Sequence, residues 1–150
     1  MPRVVLVLLT AAVAACGDAA GRDDRPPATV TFSEDVVLHV EIADDTEERR
    51  TGLMGVEDLP ADEGMAFVFD GPVRTGFWMK DTPLPLSIAF VGEDGRVVSI
   101  LDMDPCQADP CPLYAPGRPY VLAVEANRGW FDDRGVEPGD RAELEVTADG

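Results

Sequence analysis

Six consecutive residues, Phe77-Trp78-Met79-Lys80-Asp81-Thr82, gather an indole, an ammonium, a carboxylate and a hydroxyl, with Pro83 and Pro85 close behind. In an extended chain alternate residues share a face, so Phe77 and Met79 point one way and Gly76, Trp78 and Lys80 the other. One set is core. The other places an indole near an ammonium, which suits a cation–π contact or stacking on a flat or sugar-like ligand. The prolines hold Thr82 and Leu84 extended and remove two backbone donors, so the ladder is expected to break after Asp81. Asp81 and Thr82 then lie near an edge, where their side chains bond either the turn's own backbone or a ligand.

Other groups with chemical potential are fewer. Cys106 and Cys111 form an even pair once Cys16 is set aside, and in an oxidising compartment they read as a loop staple worth about 2 kcal/mol. Four intervening residues do not match a redox pair, and two thiolates are too few for a metal. The one histidine, His39, falls in an alternating run, leaving nucleophilic catalysis and a nitrogen–sulfur zinc site with little support. Asp102, Asp104 and Asp109 offer oxygen ligands for calcium without EF-hand spacing, and otherwise read as a solvated loop. Met54, Met65, Met79 and Met103 would suit copper(I) only if three sulfurs converged; as side chains of a short helix and strands they fill a core. No cofactor and no metal site is expected.

The elements that must position these groups follow from periodicity. Val36 to Ala43 alternates, with Leu38, Val40 and Ile42 on one side and Val37, His39 and Glu41 on the other. Asp44, Asp45 and Thr46 offer caps for a short helix over Glu47-Glu48-Arg49-Arg50, limited by Gly52 and Gly55. Met65 to Phe69 and Val73 to Lys80 are expected strands around a turn at Gly71-Pro72. Leu86, Ile88 and Phe90 share a face of the next strand, Glu93-Asp94-Gly95 marks a hairpin, and Val97 to Leu101 returns. Tyr120 to Ala126 and Ala142 to Val146 are further strands, with a helical turn at Trp130 to Arg134. Short strands and two short helices predict a β-rich α+β domain, either a small antiparallel sheet or a partly closed barrel.

Several of these segments together resemble the domain-of-unknown-function 192 (DUF 192) family. They are residues 49–54, 64–69, 77–86, 114–116, 121–126, 135–136 and 138–140, in the family's order and spread over nearly all of Val36 to Val146. The resemblance implies a small, single-domain, often exported prokaryotic protein of β-rich α+β fold with no established activity. Asp81 stands where the family usually has Asn, and Ser87 where it usually has an acid. By family position Asp81 and Glu125 are the candidate carboxylates, with Arg49 or Arg50 able to hold one ionised. With Trp78, Lys80, Thr82 and Tyr114, the candidate ligand-binding residues are Arg49, Trp78, Lys80, Asp81, Thr82, Tyr114 and Glu125.

The amino terminus supplies an address. Arg3, the apolar run Val4 to Ala15 and Val13-Ala14-Ala15-Cys16 have the form of a lipoprotein signal, with Cys16 as the lipidated residue. Residues 1–15 are thus expected as the signal peptide, 16–28 as the lipidated cysteine and a flexible tether, and 29–150 as one domain. The formal charge of −17, from 29 acidic and 12 basic residues, excludes nucleic acid and anionic membrane surfaces as expected partners. The expectation is a lipid-anchored cell-envelope protein that binds a small polar or glycan-like ligand or an envelope protein, without catalysis. Metal handling and carboxylate-dependent hydrolysis are the alternatives.

Overall fold

The computed structural model describes residues 27–33 and 35–147. The expected signal peptide, Cys16 and nearly all of the tether lie outside the described residues. Nine elements follow one another among the described residues: β1 (Ala28–Phe32), β2 (Val36–Ala43), α1 (Thr46–Thr51), β3 (Glu63–Val73), β4 (Leu86–Val91), β5 (Val97–Met103), β6 (Tyr120–Asn127), α2 (Trp130–Asp133) and β7 (Ala142–Val146). The strands form one seven-stranded sheet in the order β5-β4-β6-β3-β2-β1-β7. No helix among the described residues is long and apolar enough to cross a membrane.

The β-rich expectation with two short helices holds, but the sheet is neither all antiparallel nor a barrel. Parallel pairing of β2 with β3 makes it mixed, because α1 and the segment behind it carry the chain back before β3 starts in the same direction. The two edge strands approach at one corner only, through the Arg96–Arg141 bridge and the bond from the Ala142 N–H to the Gly95 carbonyl at 2.8 Å. One corner contact does not close a ladder, so the sheet stays open.

Burial follows position in the sheet. β4 and β6 lie inside it, and β4 is buried along its whole length, as its nearly continuous Leu-Ser-Ile-Ala-Phe-Val run requires. One face carries Val30, Phe32, Leu38 and Val124 under α2, whose Trp130 and Phe131 rings lie 6.0 and 5.4 Å from Phe32. The other carries Phe67, Leu86, Ile88, Phe90 and Tyr120, covered by Leu53 behind α1 and by Met79. Met65, Met79 and Met103 are buried in this second cluster, as core filling predicts.

Two local expectations are corrected. Gly71-Pro72 is no turn: β3 runs through it to Val73, with the register broken between Val68 and Val73. A bulge absorbs the donor that Pro72 lacks. Residues 74–85 are consequently an extended connection and no strand, touching other segments through isolated bridges at Phe77–Tyr114 and Lys80–Cys106. The remaining strand, β1, pairs with both β2 and β7 and places Val30 and Phe32 in the core. Its Ala-Thr-Val-Thr-Phe alternation was available as a signal but is short and directly follows the tether-like residues.

Candidate functional site

Glu125 is the point from which a site can be built. It lies in β6 opposite Met65 of β3 and Ile88 of β4, and alternation from Ala123 turns it into the second core. An inner strand gives a carboxyl no lateral route to water, and Glu125 is only 4% exposed. Burial pushes its carboxyl up to about 8, and no hydrogen bond or neighbouring charge offsets that cost. At neutral pH it is therefore mostly the uncharged acid, able to donate one hydrogen bond and accept others. No fully sealed side-chain oxygen or nitrogen among the described residues lacks a partner. The little exposure Glu125 keeps thus belongs to its carboxyl.

That carboxyl opens on a cleft of about 30 Å³, room for one water or the tip of one functional group. The cleft lies between the sheet and α1, with Phe67, Phe77 and Thr82 in its walls and Arg49 to Met54 along one side. The helix is set by a capping box: the Asp45 carboxylate accepts from the Glu48 N–H at 2.8 Å, and the Glu48 side chain accepts from the Asp45 N–H at 3.3 Å. Gly52 ends it at φ 46°, which turns the chain so that Leu53 drops into the core. Gly64 holds the sheet tight behind the site, since a Cβ there would stand 2.1 Å from the Glu125 carbonyl oxygen.

Of the seven residues singled out from sequence, Arg49, Trp78, Thr82 and Glu125 line this one cleft. Trp78 stands at the mouth, 42% exposed, with the Lys80 ammonium 5.7 Å from its ring centroid. Thr82 is buried, and its hydroxyl donates to the Lys80 carbonyl at 3.3 Å. Arg49 is held by the Asp44 carbonyl, by the Val68 carbonyl at 2.8 Å and over the Phe69 ring at 5.1 Å, so it does not serve as the ion partner of a carboxylate.

The other three stand beside the cleft and do not line it. Lys80 pairs with Asp109 in the loop closed by the Cys106–Cys111 disulfide, and that bond raises its pKa. Asp81 is exposed and adopts φ 54°, a left-handed conformation that Asn and Asp tolerate better than most residues. Its N–H donates to the Cys106 carbonyl at 3.0 Å and its carbonyl accepts from the Gly55 N–H at 2.8 Å. The tie from Gly55 to Asp81 anchors the chain behind α1 to the 74–85 connection. Tyr114 exchanges two 2.8 Å backbone bonds with Phe77, and its hydroxyl accepts from the Asp104 N–H.

The three acids considered for calcium go to separate partners: Asp102 to Ser87, Asp104 to Arg128 and Asp109 to Lys80. Among the described residues no group of three or more His, Cys, Asp or Glu side chains could hold a metal ion. Sequence reasoning missed Leu53, Met54, Phe67 and Phe77 as parts of the cleft, because only the chain's return brings α1 over β3.

Comparison with known proteins places this architecture. The family described as DUF192, Uncharacterized ACR, matches residues 28–144. None of the curated proteins matches. Among solved structures, a candidate transcription regulator from Sinorhizobium meliloti 1021 is 30% identical with a TM-score of 0.72, over 83% of this chain and 98% of that one. A protein of unknown function from Novosphingobium aromaticivorans DSM 12444 is 32% identical with a TM-score of 0.68, over 78% of this chain and 83% of that one. The match to the family profile spans both the sheet and the residues around Glu125, and the chain belongs to the DUF192 family.

Proposed function

We propose that this protein is a non-catalytic binding module of the cell envelope that takes a small polar, sugar-like ligand at the Glu125 cleft. The observation that carries the reading is the uncharged, unpartnered carboxyl of Glu125 at the floor of a cleft whose mouth holds an exposed indole. A neutral acid supplies a donor and acceptors to a hydroxyl, and Trp78 offers a flat apolar face to a sugar ring. Glu125 carries the only carboxyl group among the described residues lining the cleft, which favours binding over hydrolysis by a pair of acids. The cleft lacks sulfur ligands other than Met54, which weighs against copper as its cargo.

The envelope address rests on the lipoprotein-like start with Cys16 and is supported by the disulfide that Cys106 and Cys111 form. The partners are then a membrane, through the lipid, and a small ligand or envelope protein; the −17 charge opposes nucleic acid. Labelled palmitate entering the wild type but not Cys16→Ser would support the anchor, and equal labelling of both would remove it.

The test of the ligand reading is a thermal-shift panel on the full chain with neutral and charged monosaccharides, cell-wall fragments, calcium and copper(I). A ligand at 100 times its dissociation constant stabilises by about 2.7 kcal/mol. Stabilisation by a sugar that disappears in Trp78→Ala is the expected result. Stabilisation by metals alone, or by nothing, would overturn the reading.

A further inference from the structure

The charge around the cleft runs against the charge of the protein. A chain with 29 acidic and 12 basic residues lines this cleft with two arginines, Arg49 and Arg50, and a single carboxyl that burial keeps uncharged. Arg49 is tied to two carbonyls and an aromatic ring. Arg50 differs: it follows at the next position of α1, is exposed, and its guanidinium makes no hydrogen bond or ion pair with a described residue. A guanidinium free at the rim is a ready partner for a carboxylate, with five donors in a planar fork. Screening within about 8 Å at physiological salt limits how far the acidic surface weakens that local attraction.

The floor and rim therefore ask for different groups. The floor has room for one small group and offers a neutral acid, which suits a hydroxyl. An ammonium there would meet two guanidiniums at the rim. Taking the binding reading above as its base, we propose that the ligand is an acidic sugar, with a hydroxyl directed to Glu125, the ring against Trp78 and the carboxylate on Arg50. Arg50 is then the residue that selects anionic over neutral sugars, while Glu125 and Trp78 serve both.

Calorimetric titration of the full chain with glucuronate, glucose, glucosamine and acetate tests this. Glucuronate is expected to bind at least tenfold more tightly than glucose, with glucosamine and acetate weakest. Arg50→Gln, at an exposed position of α1, should weaken glucuronate far more than glucose and bring the two to the same level. If glucose equals glucuronate in the wild type, or Arg50→Gln leaves the ratio intact, the acidic-sugar inference falls and the sugar-binding reading stands. If acetate matches glucuronate, the site is a simple anion contact and the inference falls. If none of the sugars binds, the underlying reading falls and takes the inference with it.

Discussion

Ser87 and Glu125 are buried one rung apart in the same antiparallel pair, Ser87 opposite Ala126 and Ile88 opposite Glu125, but they face opposite sides of the sheet. The Ser87 hydroxyl donates to the Asp102 carboxylate and accepts from the Gly129 N–H at 3.0 Å, so it is satisfied and fixes the start of α2. Glu125 has no such partner and is held uncharged beside a cleft. The same sheet thus has a finished polar pair on one side and an open one on the other. A buried polar group that is satisfied explains itself as structure; one left open needs a further account, such as a water, an ion or a ligand.

The most disruptive way to test this contrast is Gly64→Ala. Its Cβ would meet the backbone of Glu125 at 2.1 Å, and backbone in the middle of a sheet cannot swing aside. A loss of about 3 kcal/mol or more is expected. A denaturation midpoint equal to that of the wild type would show that β3 and β6 separate easily behind the site.

Titration of Glu125 comes next. Its folded pKa lies near 8, above its ordinary 4.5, so between these values the unfolded chain releases a proton that the folded chain keeps. Stability from this group is complete below about 4.5, falls as pH rises to about 8 and is level beyond it, a change of several kcal/mol at most. Asp62, lowered chiefly by its bond from the Trp130 indole, acts below its ordinary 3.8, and Lys80 and Tyr120 are raised above 10.5 and 10.0, so all three act outside this window. Urea unfolding from pH 5 to pH 8 should show the decline, and Glu125→Gln should flatten it. An unchanged slope in that variant would assign the effect elsewhere.

Ser87→Ala sharpens the contrast from the other side. It leaves the Gly129 N–H and one Asp102 oxygen without their partner and should cost about 1–2 kcal/mol with no change in ligand affinity. A loss of affinity in this variant would join the two faces functionally. The smallest effect is expected at Asp81. Asn tolerates φ 54° as Asp does, so Asp81→Asn should move stability by less than about 0.5 kcal/mol, whereas Asp81→Ala should lose about 1 kcal/mol. A large loss of ligand binding in Asp81→Asn would return this carboxylate to the site.

These outcomes bear on what could be read in advance. The alternation of β2, the hairpin between β4 and β5, the α1 cap and the Cys106–Cys111 bond are local in character and appear where periodicity and spacing put them. Trp78 was legible as an exposed aromatic, since alternation with the buried Met79 turns it outward. The strand expected over Val73 to Lys80 was not there, because its propensity had no partner strand to pair with. What sequence alone did not show is how Asp81 and Arg49 are held: the Asp81 backbone ties two loops together, and the Arg49 guanidinium donates to carbonyls.

By itself, then, the sequence determined most of the strands and both short helices, the β4–β5 hairpin, the family, and the types of side chain at hand, because hydrophobic period, caps and turn residues act over a few positions. Only the tertiary structure decided that a parallel crossover into β3 lets the end of α1 share a cleft with Glu125, which stays uncharged beside two arginines. Desolvation depends on everything packed around a group, and no short stretch of chain contains that information.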